Sequence, residues 1–208
     1  MTMKYLTSII FFALLGCRSV KPIHKKNVEN AITKNALQLL EDKRFHSVST
    51  AVLKDGESTI KHFGELTIGK GNKPNDSTLY ELASVTKTFT GYIAAKAVID
   101  QKINLDDDIR IYLSESYPNL EFKGEPITIK HLITHTSGFP NMPIKSENKE
   151  AFFEGLKLIN IETKPGEVYS YSNTAPELTA YILEKVYQKP FEELVTEFVL
   201  KPNKMNQT

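Results

Sequence analysis

The spacing of apolar and polar positions predicts one helix, a hairpin and then a series of helices. Val28, Ile32, Ala36, Leu39 and Leu40 recur at helical intervals between Asn27 and Lys43, the stripe of an amphipathic helix lying on a sheet. Ser47 to Lys54 and Ser58 to Leu66 are rich in β-formers, and Asp55-Gly56 between them is the strongest short hairpin signal a sequence offers. Thr67 to Ser77, with Gly69, Gly71 and Pro74, reads as a loop. A second helical pattern begins near Ser84 and runs through Phe89, Ile93, Ala97 and Val98. Ile109 to Leu113 then reads as a short half-buried segment. Ile127 to Pro140 reads as a short helix stopped by Gly138 and Pro140, and further helices fit Ala151 to Leu158, Glu177 to Tyr187 and Phe191 to Leu200. Lys164 to Glu167 is a turn, and Val168 to Asn173 an extended or turning segment. The order is that of an α+β chain.

The apolar run before Cys17 is too short to span a bilayer, which takes about 20 helical residues, and reads as a secretory signal. Its end, Leu14-Leu15-Gly16-Cys17, resembles the lipobox of bacterial lipoproteins. That resemblance implies cleavage before Cys17, lipidation of its thiol, and a chain exported and lipid-anchored in the bacterial cell envelope. The expected organisation is a signal over residues 1–17, a polar spacer over 18–26 and one domain from 27 to 208.

Composition narrows the partners. The net charge is +1 over 208 residues and no basic run interleaves with aromatics, so no nucleic-acid partner is expected. Cys17 is the only cysteine, which excludes an intramolecular disulfide and a Cys-rich metal site. His131 and His135 stand four apart without the glutamate of a zinc-protease helix, so helix packing or capping is expected there. Asp106-Asp107-Asp108 lacks the glycine and distal glutamate of a calcium loop and reads as a turn or cap. No metal or cofactor is expected.

Candidate chemistry lies at the start of the second helix. Ser84 and Lys87 are three residues apart, on one face of a helix, where an amine held neutral can take a hydroxyl proton. Ser-x-x-Lys is a weak pattern: Ser58 with Lys61 and Ser146 with Lys149 also match. On a strand, Ser58 and Lys61 face opposite ways, and Ser146 lies in a polar loop, where capping the following helix is expected. Tyr-x-Asn occurs at Tyr117 with Asn119, in a Pro turn, and at Tyr171 with Asn173, between a Pro-Gly turn and a helix. From the pattern alone, Ser84 as a cap and Tyr171 as a core aromatic stay open.

Five stretches agree, in order, with a known family: Ser84 to Thr90, Ile103 to Asp107, Ile127 to Gly138, Pro165-Gly166-Glu167 and Tyr171-Ser172-Asn173. From about Ala51 to Thr208 the chain resembles the serine β-lactamase and penicillin-binding protein superfamily, in its class C β-lactamase, D-alanyl-D-alanine carboxypeptidase and esterase branch. The resemblance implies a β-lactamase/transpeptidase-like fold, with a helical subdomain beside an antiparallel sheet. It also implies acyl transfer on a β-lactam, a D-Ala-D-Ala peptide of peptidoglycan type, or an ester. Ser84 would be the nucleophile, Lys87 and Tyr171 would share the base work, and Asn173 would orient the acyl amide. The Ser84 N–H would supply half of an oxyanion hole, and His-Thr-Ser-Gly at 135–138 would be scaffold. No Lys-Thr-Gly or His-x-Gly follows Asn173. The resemblance therefore implies a chain lacking three C-terminal strands and a last helix, with an incomplete sheet, an open sheet edge and impaired turnover. The competing expectation is a non-catalytic envelope protein that uses the same scaffold for binding.

Overall fold

The computed structural model describes residues 25–140, 144 and 147–208. Cys17, the proposed signal and Ser146 lie outside the described residues. The chain divides between Leu79 and Tyr80 into two compact units.

The first unit is a helix on a hairpin. Helix α1 (Lys25–Leu39) buries Ile32 and Ala36 and packs on the hairpin's second strand. It ends at Leu39, with turns in place of the expected last residues to Lys43. Strands β1 (Ser47–Lys54) and β2 (Glu57–Gly64) pair antiparallel, with Val52 opposite Thr59 and Lys54 opposite Glu57. Asp55 at φ 52° and Gly56 at φ 80° make the turn. Positive φ at both positions matches the right-handed twist of the strands, which is why Asp-Gly is favoured there. Gly64 ends β2 at φ +78°, where a Cβ would stand 2.2 Å from the His46 carbonyl oxygen, so only glycine fits. His62 joins hairpin and loop: Nδ1 lies 2.8 Å from Ser49 Oγ, and Nε2 lies 2.9 Å from Asp76 Oδ1.

The second unit is mainly helical. A 3-10 turn over Ala83–Val85 leads into α2 (Thr86–Ile99), which buries Ile93, Ala94 and Ala97. The sequence pattern placed Ser84 in the helix proper; it sits in the tighter turn before it. Ile109–Tyr112 form a second 3-10 turn, capped by Asp108, whose carboxylate accepts the Arg110 N–H. Asp107 accepts the Asn104 N–H at 2.7 Å and the Tyr112 hydroxyl. Asp107 and Asp108 therefore act as turn and cap groups, as expected of that run. A hairpin of two-residue strands follows, β3 (Glu121–Phe122) and β4 (Glu125–Pro126), turning through Lys123 and Gly124. No such hairpin was expected, because two residues per strand carry no readable alternation.

Helix α3 (Ile129–Ile133) is much shorter than the Ile127 to Pro140 pattern suggested. It stops before Gly138 and Pro140 because His135, at φ 55°, reverses the chain. The Thr136 N–H reaches back to the His131 carbonyl at 3.0 Å, and the His135 N–H to that of Leu132 at 3.4 Å. This pair of bonds is a Schellman stop. At the other end His131 closes a capping box: its Nδ1 accepts the Thr128 N–H while the Thr128 hydroxyl accepts that of His131.

Helix α4 (Lys149–Lys157) is capped by Asn148, whose Oδ1 accepts the Ala151 N–H at 2.9 Å; the capping expected of Ser146 falls to this residue. Helix α5 (Thr174–Tyr187) starts three residues earlier than Glu177, because Pro176 falls in the first turn, where a missing N–H costs nothing. Helix α6 (Phe191–Val195) passes into a π-helical turn over Thr196–Leu200. Helix α5 packs on α2, α3 and α6, so Ala175, Leu178, Ile182 and Leu183 form the middle of this unit's core. Phe152 of α4 is wholly buried, its ring 5.1 Å from that of Tyr181 and 5.5 Å from that of Phe153. Phe152→Ala should destabilise the unit by about 3–5 kcal/mol, read as a lowered urea midpoint at unchanged slope.

Candidate active site

Ser84 stands exposed two residues before α2, and its hydroxyl has two partners. Lys87 Nζ donates to Ser84 Oγ at 3.2 Å, and Tyr171 Oη lies 2.8 Å from the same oxygen. Lys87 Nζ also lies 5.1 Å from the centre of the Tyr171 ring. The structure thus brings together the three residues expected to carry chemistry, the third from 87 positions away. Neither Leu82 nor Val85, the two cap positions, makes a side-chain cap, and Ser84 Oγ is engaged with Lys87 and Tyr171. Ala83 just before it holds φ 46°, a left-handed conformation that costs an L-residue about 1–2 kcal/mol. Backbone strain of this kind clusters at functional sites.

The charges favour proton removal from Ser84. The ammonium of Lys87, and after it the hydrogen bond from Ser84, hold the Tyr171 phenol below the ordinary tyrosine value. A lone phenol at neutral pH is a poor base; one beside a cation is ionised more readily. The geometry serves either division of labour: a tyrosinate accepts the Ser84 proton while Lys87 stabilises it, or a neutral Lys87 accepts it directly.

The Tyr171 loop is held by the stretch after α3. The His135 carbonyl accepts the Ser170 N–H at 2.8 Å, and the Thr136 carbonyl accepts that of Gly166 at 2.8 Å. His135 Nδ1 accepts the Ser172 N–H at 3.2 Å, and its ring lies 4.7 Å from the Tyr171 ring. Burial first, and the Lys87 charge second, keep the His135 imidazole below its ordinary value and so neutral. Ser172 is fully buried, and its Oγ accepts the Ala175 N–H at 3.4 Å, fixing where α5 begins. Asn173 is exposed at the N-cap of α5 and makes no side-chain cap. It shares the Tyr171 segment, but no hydrogen bond joins it to the other three among the described residues.

Described residues of the remaining pattern matches have other partners. Lys61 lies 3.7 Å from Glu29 of α1, and Lys149 lies 2.9 Å from Glu184. Tyr117 is buried, and the Asn119 amide donates to the carbonyls of Leu156 and Ile159. Among the described residues no group of three or more His, Cys, Asp or Glu is placed to hold a metal ion. Sequence reasoning passed over His135 as a contact of Tyr171; its only signal was a large polar residue at a helix stop that usually takes glycine.

A fold of this kind occurs in the octameric penicillin-binding protein homologue from Pyrococcus abyssi, which superposes with a TM-score of 0.74 at 26% identity, over 86% of this chain and 43% of that one. The chain belongs to the β-lactamase family, whose model matches residues 32–208. It is 30% identical over 168 residues to Protein flp of Staphylococcus aureus (strain N315), covering 77% of this chain and 34% of that protein. It is 28% identical over 204 residues to a β-lactamase of Yersinia enterocolitica, covering 97% of this chain and 52% of that protein. The chain therefore spans about a third to a half of the length of these relatives.

Titration of the tyrosine ring carbons by NMR should show Tyr171 ionising below the ordinary tyrosine value of about 10. In Lys87→Met its midpoint should move upward, towards about 10; an unmoved midpoint would mean that Lys87 does not act on it.

Proposed function

We propose that the protein is a serine hydrolase that works through an acyl-enzyme. The observation that carries this reading is the single exposed hydroxyl of Ser84, engaged at once by the Lys87 amine and the Tyr171 phenol. As the Ser84 proton passes to the Tyr171 oxygen, or to a neutral Lys87, Oγ bonds to the substrate carbonyl carbon and the carbonyl oxygen becomes an oxyanion. Collapse restores the carbonyl and breaks the bond to the leaving nitrogen or oxygen, which takes back the proton. Water then repeats the sequence on the ester and frees Ser84. The positive end of α2 favours the developing negative charge at the Ser84 amide. Asn173, two residues beyond Tyr171, is placed to bind the acyl amide.

The proposed substrates share this carbonyl chemistry: a β-lactam, a peptide ending in D-Ala-D-Ala, or an ester. A fluorophosphonate, which captures activated serines, should label the full-length product at Ser84, as read by peptide mass spectrometry. Lys87→Met and Tyr171→Phe should each slow the labelling by about 10²–10⁴-fold. A wild-type chain that takes no label at Ser84 would leave the binding reading in its place.

We further propose that Cys17 is the lipidated N-terminus of an envelope protein, on the strength of Leu14-Leu15-Gly16-Cys17. Radiolabelled palmitate should enter the wild type and not Cys17→Ser, and the variant should leave the membrane fraction. Equal fractionation of the two would contradict this.

A further inference from the structure

We propose that His135 is a positioning residue for the acyl transfer described above: its neutral imidazole, carrying its proton on Nε2, clamps the Tyr169–Ser172 segment and thereby sets the Tyr171 phenol on Ser84. The inference rests on that reading of Ser84. It begins with an unusual placement. The Schellman stop of α3 demands positive φ at its reversal point, where glycine is the ordinary occupant, and His135 stands there at φ 55°. A glycine would satisfy the stop. It would also keep the carbonyl contact to Ser170, but only a side chain can bond the Ser172 N–H and pack on the Tyr171 and Tyr169 rings.

Those contacts straddle Tyr171. The Ser170 N–H on one side bonds to the His135 carbonyl at 2.8 Å, and the Ser172 N–H on the other bonds to His135 Nδ1 at 3.2 Å. Between them the Tyr171 ring lies at 31° to the imidazole with centres 4.7 Å apart, while the Tyr169 ring meets the imidazole edge-on at 6.0 Å. Two backbone bonds and one ring face leave the phenol little freedom in the direction that matters, across the 2.8 Å to Ser84 Oγ. A displacement of about 1 Å at such a group can cost about 100-fold in rate.

The clamp requires one protonation state. Nδ1 accepts from Ser172, so the proton of the neutral ring is on Nε2. An imidazolium would carry hydrogen on both nitrogens, oppose the Ser172 N–H with an N–H of its own, and place a cation near Lys87. The titratable and charged groups that face it are Lys87 from α2 and Tyr169 and Tyr171 from the clamped segment, while α3 itself carries Lys130 and His131. Burial and Lys87 both disfavour the charged ring, in keeping with the state the geometry demands. Acidification through the His135 pKa, below the ordinary histidine value of about 6.5, should therefore release Tyr171 and slow Ser84.

The test combines two readouts on the full chain. Nitrogen-15 spectra of the wild-type imidazoles should show His135 as the Nε2–H tautomer near pH 7.5; a proton on Nδ1 would overturn the proposal without any variant. His135→Gly suits the left-handed backbone and removes the side chain altogether. It should raise the Tyr171 titration midpoint and slow fluorophosphonate labelling of Ser84 by about 10–100-fold, with the melting transition retained. His135→Asn, which also tolerates the left-handed backbone, keeps in Oδ1 an acceptor near the place of Nδ1 that does not titrate. It should recover part of the rate and lose the acid limb expected of the wild-type labelling profile. If both variants keep the wild-type Tyr171 titration, the proposal is wrong. If wild-type Ser84 takes no label, the hydrolase reading fails, and the tautomer with the Tyr171 titration still decides whether His135 sets the phenol.

Discussion

One oxygen shared between a cation and a phenol is the constraint on which the second unit depends. Ser84 Oγ must meet Lys87 from the helix that follows it and Tyr171 from 87 residues away. The first meeting is nearly free, because three residues span one helical turn. The second must be built by tertiary structure, and much of the unit's packing serves it. Helix α5 lies on α2 through a buried face that includes Ala175 and Leu178, which fixes the start of α5, and Tyr171 stands three residues before that start. The stretch after α3 then holds the loop from its other side through the carbonyls of His135 and Thr136.

The electrostatics follow from that geometry. A serine hydroxyl gives up its proton only to a base of adequate strength, and the strength of the base here comes from a neighbour. Lys87 lowers the cost of a tyrosinate, while burial, and Lys87 after it, disfavours a charged His135. The backbone adds left-handed conformations at Ala83 and His135, in the two turns next to Ser84 and the Tyr171 loop. Both cost conformational energy, and both lie where displacement would part Ser84 from Tyr171.

Much of this was legible in the sequence, for local reasons. Asp55-Gly56 encodes a hairpin turn that needs no distant partner. Ser84 and Lys87 stood out because a helix start puts them on one face, and Tyr171 with Asn173 because a Pro-Gly turn and a helix frame them. The long-range features were not legible. His135 looked like part of a helix running to Pro140, since apolar spacing over Ile127 to Ile133 hides a stop made by backbone bonds. The β3–β4 hairpin was too short for alternation to register, and Pro176 concealed the first turn of α5 by looking like a boundary. Membership of the β-lactamase family over residues 32–208 agrees with the motif order, while the sequence spans about half or less of the relatives' length.

The central claim is that Lys87 and Tyr171 act on Ser84 as one unit. A double-mutant cycle on the rate of Ser84 acylation tests it most directly. If the two share one proton transfer, Lys87→Met with Tyr171→Phe should lose little more than the worse single variant, as groups acting together do. Losses that multiply would show two independent contributions and contradict the account.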